Sequence, residues 1–246
     1  MRLRAAAVLA ISTALTISTA PAAWAVAHGS DVPPGQYGFV AKLAMTKIPR
    51  PDGSTYSSYC TGALVAPAWI LTTGHCFHDA HRNRVSGKVP YSTTVTLGLT
   101  DEATESGVAR KATEVLQAKE NDVALIRLDS PVTTVPPLSV SRTVPKVGRQ
   151  LTLAGWGSLT GPNPKPATRL QQGTVAIAKV DPTTLGVRGA APETTTSACT
   201  YDSGAPYFSG TELVALEATG PGCPHAGIET TSRADVIADW IATHTA

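Results

Sequence analysis

Three residues that lie far apart in the sequence have the side-chain types that acyl transfer by a serine requires. Such chemistry needs a nucleophile, a base that removes its proton and a group that orients the base. The nucleophile candidate is Ser203 in CTYDSGAPYF, the base candidate is His75 in WILTTGHCF, and the candidate for the orienting carboxylate is Asp122 in ENDVALIRL. Each segment alone is an ordinary sequence feature. Together, in the order His, Asp, Ser, they indicate a serine hydrolase.

The order of these residues separates the chain from one large class of serine hydrolases. That class places Ser before Asp before His and carries the nucleophile in a G-x-S-x-G turn. Here Tyr201 occupies the position of the first glycine. A different architecture is therefore expected.

The elements that must position these residues are predicted to be short β-strands. Seven segments are rich in Val, Thr, Ile and Leu with a period of two, which is typical of a β-sandwich or barrel. A helix is predicted only near the end of the chain, at about 232–244, where Ser232 would be the N-cap. The Pro-rich stretch 130–138 is the best candidate for a connection between two halves. The seven segments are 38–45, 62–74, 92–99, 122–128, 149–157, 172–180 and 211–218.

The first 25 residues have the pattern of a secretory signal peptide. A basic start, MRLR, precedes an apolar run, and Ala23-Trp24-Ala25 has the small-x-small form of a signal-peptidase site. Cleavage there would make Val26 the mature N-terminus, and cleavage after Ala22 is the lesser alternative. The sequence thus predicts a secreted, extracellular protein.

The net charge of the chain indicates which classes of binding partner are expected. Arg2 and Arg4 of the predicted leader account for the formal net charge of +2, so the mature chain would carry none. No basic run remains, which argues against nucleic acid or membrane partners. We expect a monomer.

Four cysteines in an exported chain predict two disulfides, for which three pairings are possible. Proximity in sequence favours Cys60 with Cys76 and Cys199 with Cys223. A zinc site is less favoured because no C-x-x-C spacing occurs. The cluster of histidines in HCFHDAH, residues 75–81, is interpreted as a polar loop, and neither a metal nor another cofactor is expected.

Six segments in order give the chain a resemblance to the trypsin-like (chymotrypsin-fold) serine proteases, and more closely to their secreted bacterial members. The resemblance spans residues 26–246 and implies export from a bacterial cell. The matching segments are VAHGSDVPPGQYGFV, GALVAPAWILTTGHCF, NDVALIRLDSPV, LAGWG, CTYDSGAP and DVIADWI.

The resemblance implies an all-β fold of two six-stranded antiparallel β-barrels with a C-terminal α-helix. The N-terminal barrel would cover about 26–135 and the C-terminal barrel about 136–231, with the active site in the cleft between them. In that cleft His75 would be the general base, Asp122 its orienting group and Ser203 the nucleophile.

The resemblance also implies how the nucleophile loop is completed. The backbone N–H groups of Tyr201 and Ser203 would form the oxyanion hole, and a free α-amino group at Val26 would pair with Asp202. Because signal-peptidase cleavage would expose that amine, no separate propeptide is expected. Tyr201 replaces a glycine of the family pattern, keeps the N–H donor, and is predicted to alter access to the cleft.

The resemblance places Ser197 at the bottom of the specificity pocket and Gly220 and Gly227 on its walls. An uncharged, open pocket would favour an apolar or aromatic residue before the scissile bond. The resulting hypothesis is a secreted serine endopeptidase that acts on protein or peptide substrates through an acyl-enzyme. The alternatives are a catalytically weak or inert protease-fold binding protein, because Tyr201 replaces the oxyanion-hole glycine, and a serine esterase on the same scaffold.

Overall fold

The computed structural model describes residues 26–246, so the predicted signal peptide lies outside the described residues. The regular secondary structure of these residues is almost entirely β-strand, and nearly all strand pairs are antiparallel. The strands are β1 Ser30–Asp31, β2 Val40–Pro49, β3 Thr55–Ala66, β4 Trp69–Thr72, β5 Gly87–Lys88, β6 Ser92–Leu97, β7 Val108–Gln117, β8 Ala124–Leu128, β9 Ser139–Val140, β10 Gln150–Gly155, β11 Gln171–Val180, β12 Thr184–Ala191, β13 Pro206–Ser209, β14 Glu212–Thr219 and β15 Glu229–Arg233. One α-helix, α1, covers Ala238–Thr245.

The first barrel closes through six strands in the order β7, β6, β2, β3, β4, β8, with β8 pairing back onto β7. The short strand β5 extends β7 at its edge. Alternate positions of these strands turn inward, which buries apolar side chains in the barrel interior. Fully buried examples are Leu43, Leu64, Ile70, Val95 and Leu125.

The second barrel closes in the same way, in the order β11, β10, β13, β14, β15, β12, with β12 pairing back onto β11. Strand β1 adds to the edge of β11, and β9 lies parallel to β14. The barrel interior is filled by Leu153, Val175, Val187, Tyr207 and Val214. The predicted fold, two six-stranded antiparallel barrels with a C-terminal helix, is confirmed.

The barrel boundaries differ from the prediction at the start of the chain. Val26 is buried in the core of the second barrel, Ala27 bridges to Ser197, and β1 pairs with β11. Residues 26–31 therefore belong structurally to the second barrel, although the sequence assigned them to the first.

The helix begins later than position 232, so its predicted start and the Ser232 N-cap are wrong. Residues 229–233 form β15, which pairs with both β12 and β14 and closes the barrel. Because these ladder hydrogen bonds require an extended backbone, the helical conformation starts only afterwards, as a 3-10 turn at Asp235–Ile237 that leads into α1. Within residues 26–246, no helix is long and apolar enough to cross a bilayer.

Candidate active site

His75, Asp122 and Ser203 meet in one cleft and are joined by hydrogen bonds. Nε2 of His75 lies 3.0 Å from Oγ of Ser203, and its Nδ1 lies 2.6 Å from Oδ2 of Asp122. The backbone N–H of His75 also donates to Oδ1 of Asp122, at 2.9 Å. With Nδ1 donating to the carboxylate, Nε2 is left to accept the proton of the serine hydroxyl.

His75 is held by the turn Gly74–Cys76, which directly follows strand β4. A disulfide ties Cys76 back to Cys60 on β3, and the side-chain amide of Gln117 donates to the carbonyl oxygen of Gly74 at 2.9 Å. A methyl group on Gly74 would collide with Oε1 of Gln117. This contact explains why glycine occupies the position before the histidine.

The carboxylate of Asp122 is kept ionised by its neighbours. Burial acts to raise the pKa of Asp122, but the hydrogen bond from His75, the charge of His75 and the nearby Arg84 outweigh burial and lower it. A guanidinium nitrogen of Arg84 lies 3.4 Å from Oδ1 of Asp122. Sequence reasoning missed Arg84 and Gln117, because neither is part of a recognisable motif.

The loop that carries Ser203 is anchored to the first barrel as well as the second. The backbone N–H of Thr61 donates to the carbonyl oxygen of Ser203 at 2.9 Å, and the Thr61 hydroxyl donates to that of Tyr201 at 3.1 Å. Nearby, the side-chain amide of Asn121 donates to the carbonyl oxygen of Arg233 at 2.9 Å, which joins the barrels a second time.

Tyr201 has a backbone conformation that is typical of glycine, the residue that the family pattern has at this position. Its φ is +80°, in the left-handed region that favours glycine. In the part of the chain that the structure describes, the backbone N–H groups of Tyr201 and Ser203 donate to no protein acceptor. The phenol ring packs edge-on against Tyr59, with the ring centroids 5.6 Å apart, beside a small cavity of about 220 Å³ that also contacts His75.

Asp202 is fully buried and accepts hydrogen bonds from the backbone N–H groups of Gly157, at 2.8 Å, and Cys199, at 2.9 Å. Burial raises the pKa of Asp202 to about 8, and the charge of Glu229 acts in the same direction. Val26 is also fully buried. The predicted ion pair between Val26 and Asp202 needs a free amine, and here residue 26 is still joined to the preceding residue, so the pair stays a prediction.

The residues assigned to the specificity pocket lie beside further polar side chains. Ser197 is buried, as a pocket floor would be, and its Oγ accepts a hydrogen bond from the backbone N–H of His225 at 3.3 Å. The imidazole of His225 lies near both Gly220 and Gly227, and Glu217 is among the residues that line the cleft of about 1130 Å³ that contains the catalytic candidates. The structure thus places polar side chains in the region where an open, uncharged pocket was expected, and the pocket assignment stays a prediction.

The structure joins the cysteines as proximity in sequence favoured. Cys60 pairs with Cys76 beside the base, and Cys199 pairs with Cys223 beside the pocket. Across residues 26–246, no three His, Cys, Asp or Glu side chains are arranged to hold a metal ion. In the histidine-rich loop, His78 instead contacts the carbonyl oxygen of Asp79 and the guanidinium of Arg82.

Comparisons with known proteins agree with this geometry. The family model described as Trypsin matches residues 26–241, and the chain belongs to the trypsin family. It is 37% identical over 109 residues to snake venom serine proteinase 14 of Crotalus adamanteus, an alignment that covers 43% of this chain and 41% of that protein. It is 26% identical over 203 residues to the chymotrypsin-like protease VLCTLP of Macrovipera lebetinus, covering 74% of this chain and 76% of that protein.

Among solved structures, the chain is similar to neuropsin, a serine protease expressed in the limbic system of mouse brain. The TM-score is 0.69 at 19% sequence identity, and the match covers 89% of this chain and 99% of neuropsin, which supports the fold. In the first curated relatives that it matches, the chain spans about two fifths of their length. These relatives come from snakes and do not support the closer likeness to bacterial members, which stays a prediction.

Proposed function

We propose that this protein is a secreted serine endopeptidase that hydrolyses peptide bonds through an acyl-enzyme. The observation that carries the proposal is the continuous set of short contacts from Oγ of Ser203 to Nε2 of His75, at 3.0 Å, and from Nδ1 of His75 to Asp122, at 2.6 Å. A binding protein has no need of this arrangement, whereas a serine nucleophile requires it.

The geometry is suited to the following steps. Ser203 attacks the carbonyl carbon of the scissile bond while Nε2 of His75 takes the hydroxyl proton, and Asp122 stabilises the imidazolium that forms. The N–H groups of Tyr201 and Ser203 bind the developing oxyanion. His75 then protonates the leaving amine, and an activated water molecule hydrolyses the acyl-enzyme by the reverse sequence of proton transfers.

Maturation is part of the proposal. Removal of residues 1–25 would free the amine of Val26, and its ammonium group would neutralise the buried carboxylate of Asp202. The burial of both residues and the raised pKa of Asp202 support this pairing, because a buried carboxylate without a cation is unfavourable. N-terminal sequencing of the secreted protein should begin at Val26. Any other first residue contradicts this step.

A fluorophosphonate probe tests the catalytic proposal. The secreted protein should be labelled at Ser203, and a Ser203→Ala variant with the same unfolding temperature should not. Absence of labelling in correctly matured protein would favour the inert binding protein. Matched amide and ester substrates distinguish the peptidase from the esterase, because an esterase would hydrolyse only the ester.

The expected preference for an apolar or aromatic residue before the scissile bond rests on an open, uncharged pocket. His225 lies beside the glycines assigned to the pocket walls and Glu217 lines the cleft, so this preference stays a prediction. The side chains that are present support another substrate class.

A further inference from the structure

Three polar side chains meet behind the specificity pocket, and the proposed catalytic steps use none of them. The hydroxyl of Tyr207, on β13, lies 2.7 Å from Oε2 of Glu217, on β14, and 2.6 Å from Oε2 of Glu229, on β15. Their exposed fractions are 0%, 4% and 1%, in the same order. Two carboxyl groups that contact the same phenol hydroxyl are unusual in a protein interior, because each buried charge needs a partner.

This group of side chains retains a proton that isolated carboxyls would lose. The phenol has one hydrogen and can donate it to only one carboxylate, so the second short contact requires a protonated carboxyl that donates to the phenol oxygen. Burial raises the pKa of Glu217 well above its usual range, with the charge of Glu229 adding to the effect, and burial raises the pKa of Glu229 too. The two short contacts therefore require at least one of the two carboxyls to be protonated.

A negative charge on either carboxyl would lack a good cationic partner among residues 26–246. The basic group within ion-pair distance is His225, whose Nε2 lies 3.5 Å from Oε1 of Glu229. Neither ring nitrogen of His225 has a hydrogen-bond partner, although both are buried. Burial lowers the pKa of His225, so the imidazole stays neutral near pH 7 and compensates the carboxylate poorly.

His225 lies beside both glycines that were assigned to the walls of the specificity pocket. A methyl group on Gly220 would lie 3.5 Å from its Nε2, and one on Gly227 would lie 3.5 Å from its Nδ1. The unsatisfied ring nitrogens of His225 make this position unfavourable, because a buried polar atom without a partner destabilises the state that contains it.

We propose that the pocket accepts a cationic side chain, lysine or arginine, with Glu217 and Glu229 as its specificity-determining residues and His225 as the group that it displaces. The inference rests on the proposed peptidase function. The acidic side chains come from strands β14 and β15, whereas Ser197, the predicted pocket floor, is neutral. Glu217 lines the same cleft as His75 and Ser203, so an ammonium or guanidinium group that enters beside the nucleophile comes near this residue.

Binding of two small aryl probes tests the pocket without requiring catalysis. Protein secreted from the full-length chain with Ser203→Ala is titrated calorimetrically with benzamidine, a cation, and with benzamide, its neutral isostere. Benzamidine should bind at least about 10-fold more tightly, as expected for a charge-assisted contact in a buried pocket. Equal binding of the two probes overturns the inference.

Substitutions assign the effect to the named residues. Because either carboxyl can hold the charge alone, the decisive variant is Glu217→Gln with Glu229→Gln, which should lose the preference for benzamidine. Glu212→Gln, on the same strand β14 and paired with Arg149 outside the pocket, is the matched control and should keep it. His225→Ala should bind benzamidine at least about 3-fold more tightly, since no side chain has to be displaced. Weaker binding of benzamidine by this variant would contradict the proposal that the bound cation displaces His225.

A substrate series separates this inference from the proposed function. Peptide amides that differ only in the residue before the scissile bond (Lys, Arg, Phe or Ala) are compared with the active protein. The lysine and arginine substrates should exceed the other two at least about 10-fold in kcat/KM. A preference for Phe or Ala refutes the cationic pocket and leaves the peptidase standing. Selective benzamidine binding without cleavage of any substrate refutes the peptidase and leaves the pocket standing.

Discussion

Replacement of Tyr201 tests whether the nucleophile loop is already in its working conformation. Two variants are informative as a pair, Tyr201→Ala and Tyr201→Gly, because both remove the ring and only glycine removes Cβ. The φ of +80° is unfavourable for an L-residue by about 1–2 kcal/mol. Against this, glycine loses about 0.5–1 kcal/mol more backbone entropy on folding than alanine.

The difference between these two contributions should make the free energy of unfolding of the glycine variant larger than that of the alanine variant by about 0.5–1 kcal/mol. For a chain of this size, that is a difference of about 1–4 °C in unfolding temperature. It is measured by thermal unfolding in the Ser203→Ala background, where self-digestion cannot interfere. An alanine variant that is as stable as the glycine variant would contradict the strain at this position.

The activity of the glycine variant gives the sharper test. Because the N–H groups of Tyr201 and Ser203 have no protein acceptor in the described region, the oxyanion hole should be formed in the natural protein. Tyr201→Gly should then change kcat on a substrate with a small leaving group by less than about 10-fold, whereas restoration of a missing donor would be worth about 10²–10³. A gain of about 100-fold or more would refute the reasoning.

Three further outcomes follow from the site. Asp122→Asn should lower kcat by about 10⁴, because an amide does not hold His75 in the tautomer that leaves Nε2 as acceptor; a loss below 10-fold contradicts the role. In the uncleaved chain the pKa of Asp202 is raised from its ordinary value of 3.8 to about 8. The free energy of unfolding should therefore fall as the pH rises between these two values. Cleavage before Val26 should reduce this fall, because Asp202 would then pair with an ammonium group, and identical denaturant curves for the two forms argue against the ion pair. Replacement of both cysteines of the Cys60–Cys76 disulfide, 16 positions apart, should reduce the free energy of unfolding by about 3 kcal/mol in urea titrations; unchanged stability would contradict this expectation.

The strands with regular apolar alternation could be predicted from the sequence, and the less regular ones could not. Strand β7, Val108–Gln117, has Arg110 and Lys111 on its surface, and only Ala112 and Val115 are buried. Its extended form depends on pairing with β6 and β8, and a local pattern does not report such non-local hydrogen bonds. The start of the helix was misplaced for the same reason, since residues 229–233 are extended by their two neighbouring strands.

The catalytic candidates could be found because each has a local sequence setting, and the structure brings all three together. The polar side chains near the predicted pocket were not found from the sequence because their signals are weaker. Glu217 interrupts the apolar segment LVALEA, and an acidic residue in a buried strand indicates a compensated or functional carboxyl. His225 and Glu229 offer no comparable signal, because their contact depends on the path of the loop after Cys223.

The hydrogen bonds that Thr61 and Asn121 make across the two barrels have a consequence for how the protein can be divided. These hydrogen bonds join the two barrels next to the catalytic residues. They do not depend on the segment of chain that connects the barrels. A protein made as two separate polypeptides, split within residues 130–138, should therefore reassemble with nucleophile and base still aligned.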